Sequence, residues 1–113
     1  MNNFEWAEEL NVAVTVCDTQ GIVVYINSKA AKTFSKDGGK ELIGKSLMGC
    51  HSEKSQAKIV ELMNNATTNT YTVEKNGVKK LIYQTPWFVD CKVNGLVELS
   101  MEIPFEMAHF SRD

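Results

Sequence analysis

The chain has 113 residues, 43% of them hydrophobic and 23% charged, with a net charge of −2. That composition suits one soluble globular domain, large enough to bury a core without staples. Near-balanced charge with no long basic run argues against a nucleic-acid partner, because phosphate recognition needs clustered Lys and Arg.

Cys17, Cys50 and Cys91 are odd in number and far apart. A disulfide framework or thiolate zinc site is therefore not expected, and free thiols suit a reducing compartment. No basic segment precedes an apolar stretch near the N-terminus, so no signal peptide is expected. No apolar run approaches the roughly 20 residues of a membrane helix. The expectation is a cytoplasmic protein with no membrane partner.

In chain order, Phe4, Ala7 and Leu10 recur at i, i+3 and i+6 among glutamates, with Trp6 on the flank. This predicts a short amphipathic helix within residues 1–11. Val12 to Cys17 and Ile22 to Ile26 are β-rich and flank Asp18-Thr19-Gln20-Gly21, a turn sequence, so they read as a hairpin. Asn27 or Ser28 can cap the helix that runs through Ala30, Ala31 and Phe34 until Gly38-Gly39. Glu41 to Leu47 reads as a short helix and connector. Ser52 can cap a longer helix whose apolar face carries Ile59, Leu62 and Met63. Thr70 to Glu74, Lys79 to Val89 and Leu96 to Ile103 read as strands. Asn76-Gly77 and Asn94-Gly95 read as the turns between them. Pro86 marks a bulge or an unpaired edge position.

The order β-β, helices, β-β-β does not match the alternation of a parallel α/β sheet. The hairpin signals make the sheet antiparallel, with helices covering one face. The fold class is α+β: a five-stranded antiparallel sheet, with residues 1–11 as an N-terminal helix, 12–104 as the core and 105–113 as a tail.

Three stretches resemble the PAS family. Val16 to Asn27 is similar to its opening hairpin, with an Asp-x-x-Gly turn and an Asn before the first helix. Glu41 to Leu47 resembles its Ile-Gly-Lys connector, and Gly95 to Ile103 its last strand, here ending in Glu102-Ile103-Pro104. The chain is also similar to a prokaryotic PAS subfamily that carries a Cys-His-Pro-x-x-Ser segment and a Glu in the last strand. Here these are Cys50-His51-Ser52-Glu53-Lys54-Ser55, with Ser in place of Pro, and Glu98. The resemblance implies a sensory domain that binds haem, flavin or a small metabolite, or binds nothing and serves as a dimerisation module. It also implies signalling to a separate protein. No motif selects a cofactor, and no arrangement of nucleophile, base or phosphate loop suggests an enzyme.

His51 is the first site candidate, as a ligand anchor or a helix-start residue that meets backbone or water. Alternation puts Glu98, Ser100 and Glu102 on one strand face and Val97, Leu99, Met101 and Ile103 on the other. The pattern alone leaves Glu98 in solvent, whereas the family resemblance sets it in a pocket. A buried Glu98 needs a partner, such as His51, Tyr83 or Gln84. The candidate pocket residues are His51, Ile59, Met63, Tyr83 and Glu98. Large side chains among them, with Leu81 and Leu99, could instead fill the cavity. Phe4, Trp6 and Leu10 give the N-terminal helix more apolar surface than a solvated segment needs. They are the candidate interface of a homodimer, docking on the open sheet face within one chain or across a two-fold axis.

Overall fold

The computed structural model describes residues 4–113. Met1 to Asn3, the start of the expected N-terminal helix, and the side chain of Cys50 lie outside the described residues. Eight main elements follow in order. They are α1 (Glu5–Glu8), β1 (Ala13–Asp18), β2 (Val23–Ile26), α2 (Ser28–Thr33), α3 (Glu53–Asn65), β3 (Asn69–Lys75), β4 (Val78–Val89) and β5 (Lys92–Ile103). Between α2 and α3 the chain winds through three 3₁₀ turns, at Ser35–Asp37, Gly39–Leu42 and Leu47–Cys50. The strands form one antiparallel sheet in the order β2-β1-β5-β4-β3.

The first hairpin closes as its turn sequence requires. The Asp18 side chain accepts from the Gln20 and Ile22 amides, and Gly21 takes φ +80°. Asn27, not Ser28, caps α2 by accepting from the Ala30 amide at 3.0 Å. Ser52 caps α3 by accepting from the Ser55 amide at 3.2 Å.

The expected turn at Asn94-Gly95 is instead inside β5. The β4–β5 turn lies at Asp90 and Cys91, both at positive φ, and Asn94 is the extra residue of a bulge opposite Trp87 and Phe88. Gly95 serves close approach: the Trp87 indole crosses it to donate to the Cys17 carbonyl at 2.9 Å. A Cβ at Gly95 would stand 1.8 Å from that carbonyl oxygen. Pro86 is tolerated because β3 ends opposite Gln84, so β4 has only β5 beside it there.

Helices pack against both faces of the sheet, each over part of it. On the inner face α2 packs over Ala13, Val23, Ile26 and Leu42. Farther along, α3 sets Ile59 and Leu62 against Cys17 and Leu96. Burying a side chain such as Leu62 contributes roughly 1.5–3 kcal/mol. On the outer face, Ala7 of α1 packs with Val14, Val16 and Tyr25, beside Trp87, Val97 and Leu99.

A helix of four residues has no stability of its own, so α1 is held by side chains. Buried Asn27 donates to the carbonyls of Ala7 and Val12, both at 2.8 Å. Glu8 receives hydrogen bonds from Lys40, Ser28 and Tyr25. These donors, Lys40 first, lower the Glu8 carboxyl to about 2. Burial, and then Glu8, push the Tyr25 phenol up to about 12. Phe4 stacks on Tyr25 with centroids 4.5 Å apart. The N-terminal helix therefore docks on its own chain, with Trp6 70% exposed.

Candidate ligand site

Strand pairing decides which way Glu98 points. It lies opposite Thr15 on β1 and Gln84 on β4, and Thr15 is buried on the helix-covered side. Val97 and Leu99 face the other way, beneath α1. Both alternating sets of β5 are thus covered, and Glu98 belongs to the inner face. Its described hydrogen bond is a long one, from Gln84 Nε2 at 3.4 Å. Asn69 Nδ2 donates to Gln84 Oε1 at 3.0 Å, which turns the Gln84 amide so that its nitrogen meets the carboxylate.

His51 follows the Leu47–Cys50 turn and precedes the α3 cap. Its Nδ1 lies 2.7 Å from the Leu47 carbonyl oxygen. A carbonyl only accepts, so Nδ1 carries a proton, and in the neutral form of the ring Nε2 is left as an acceptor. Gln56 of α3 donates to the carbonyls of Met48 at 2.6 Å and His51 at 2.9 Å. The helix thereby fixes the turn that presents the imidazole.

Two adjoining cavities share His51 and Glu98 in their walls. One, of about 520 Å³, opens between α3 and strands β3 to β5, with Lys54, Lys58, Ile59 and Tyr71 among its lining residues. The other, of about 120 Å³, is more enclosed and mainly apolar, bounded by Val23, Ile26, Phe34 and Leu42. Glu98 also reaches a third cavity of about 220 Å³, beside Lys80 and Ser100. Burial, and then the Glu98 charge, raise the Tyr71 phenol, and burial raises the Cys17 thiol. Cys17 therefore stays a thiol in the core and not a nucleophile. Among the described residues no three metal-ligating side chains cluster.

Of the five pocket residues expected from sequence, the structure brings His51, Ile59 and Glu98 together. Met63 packs beside the Cys17–Leu62 cluster and lines none of these cavities. Tyr83 is paired with Leu99, so it shares the outer face and is 36% exposed, while its neighbour Gln84 turns inward. Gln84, Asn69, Tyr71 and the α3 lysines complete the wall. Their signals were modest: alternate positions on β3, and Lys54 and Lys58 spaced i, i+4 on one helix face.

The family model described as PAS fold matches residues 5–96, and the chain belongs to the PAS family. No curated protein sequence gives a significant match. The fold is similar to a sensory box sensor histidine kinase from Vibrio cholerae, with TM-score 0.66, 11% identity and coverage of 89% of each chain. It is similar to the Aer2 receptor of the same organism, a dual PAS-heme oxygen sensor, with TM-score 0.64, 13% identity and coverage of 82% and 95%. The Vibrio cholerae VqmA dimer gives TM-score 0.69 at 13% identity. There the match covers 94% of this chain but only 54% of VqmA, which has also been solved bound to DPO.

Proposed function

We propose that the chain is a sensory domain that binds a small polar molecule between α3 and the inner sheet face and relays its occupancy to a partner protein. The observation that carries this is the pairing of His51 and Glu98 across adjoining cavities, each with hydrogen-bonding capacity left over. Convergent polar groups in a partly apolar cleft are the usual form of a small-molecule site. Occupancy acts by favouring one of two arrangements of the helical layer, to the extent that the ligand binds them differently. The sensor-kinase, haem-sensor and VqmA structures that share this fold support a signalling role. No catalytic role is assigned to any residue.

A homodimer is the second part of the reading. Trp6, Tyr83 and Val89 leave an apolar surface on α1 and β4, and VqmA pairs as a dimer. Native mass spectrometry and an absorption spectrum of freshly purified protein test both parts. A small bound mass without a Soret or flavin band, on a dimer, is the expected outcome. A cofactor band would replace the metabolite reading, and a monomer at micromolar concentration would refute the dimer.

A further inference from the structure

We propose that the ligand is a small zwitterion of the amino-acid type, with its ammonium group between Glu98 and His51 and its anionic group toward Lys54 and Lys58. This rests on the cavity being a ligand site. Glu98 is an acceptor-only group, half-buried on the inner face, and its described donor stands at 3.4 Å. That is longer than the 2.7–3.2 Å of a good N–H···O bond. In its neutral form His51 adds a second acceptor at Nε2, because its other ring nitrogen donates to the Leu47 carbonyl. Two acceptors facing one space call for N–H donors, and an ammonium group supplies three of them with a compensating charge.

The α3 side of the cavity adds cations. Lys54 and Lys58, spaced i, i+4 on the helix, both line the same 520 Å³ cavity. Lys54 has no ion pair among the described residues. Lys58 meets Glu61 at 3.5 Å in an exposed pair of small worth, easily exchanged for another anion. Glu61 also lines this cavity, so a simple amine would leave Lys54 as the cation without a counter-charge, and a simple carboxylate would offer Glu98 no donor. A neutral molecule with separated charges satisfies both walls, and Ile59 provides apolar surface for a side chain.

Scanning fluorimetry of the intact chain against the L-amino acids, then calorimetry, tests this. The best binder is compared with its decarboxylated and deaminated analogues. At least one amino acid should raise Tm with concentration. Each analogue should bind about tenfold or more weakly, as should the amino acid to Glu98→Gln and Lys54→Ala. Lys54 is exposed, so its variant leaves the core alone, and Glu98→Asp serves if Glu98→Gln does not fold. The inference is overturned if no amino acid stabilises the chain, if an analogue binds as tightly, or if the variants bind unchanged. A non-zwitterionic metabolite found bound by native mass spectrometry also overturns the class, while leaving the ligand-binding reading intact.

Discussion

Asn27 joins three segments at once. Its Oδ1 accepts from Val14 at 2.9 Å and from Ala30, and its amide group donates to Ala7 and Val12. None of the side chain reaches water. Asn27→Ala strands buried donors and acceptors, so we expect a loss on the order of 3 kcal/mol in chemical denaturation. A loss below 1 kcal/mol would show that the network is dispensable. Glu8 makes a second residue-scale prediction. Its carboxyl is depressed from 4.5 to about 2 by Lys40, Ser28 and Tyr25. The folded state therefore binds this proton less readily than the unfolded one. The stabilisation is full above about 4.5 and is lost as pH falls toward 2. Stability curves of wild type and Glu8→Gln should converge over that window, and curves that stay parallel would contradict the assignment.

At the scale of elements, the bulge in β5 exists to let Trp87 reach across the sheet. Gly95→Ala drives a Cβ into the Cys17 carbonyl and the indole. Overpacking of this kind typically costs about 1–3 kcal/mol, and a backbone obstacle puts the expectation at the upper end. An unchanged Tm would contradict it. Asn-Gly is a strong turn signal, but the demand on Gly95 comes from the tryptophan paired with it on β4 and a carbonyl far away along the chain. Tyr83 shows the same limit. Alternation sorts a strand into two sets without saying which set meets the helices, and pairing with Leu99 settles that. Asp18-Gly21, Asn27, Ser52 and the five strands were legible because caps, turns and period-two patterns are local physics. His51 and Glu98 were singled out by a resemblance to PAS segments, and the structure sets both in the walls of the same cavities.

Across the whole molecule, the two sheet faces do different work. The inner face holds the cavities, and the outer face holds α1 with Trp6 and Tyr83 exposed. The clasp at Glu8 links them, since Lys40 reaches both Glu8 and the Ile26 carbonyl, and Ile26 borders the enclosed cavity. If the outer face pairs two chains, Trp6→Glu should weaken self-association in sedimentation equilibrium while leaving Tm near that of wild type, because Trp6 is already in solvent. An unchanged dimer would move the interface elsewhere.

The proposed ligand binds where His51 and Glu98 line the same cavities. Backbone-amide NMR of the isotope-labelled chain, titrated with a low-molecular-weight metabolite extract, reads this directly. Shifts are expected at His51, Ser55, Gln84 and Glu98, and they should vanish in Glu98→Gln. Shifts confined to the outer face, or none at saturating extract, would contradict it.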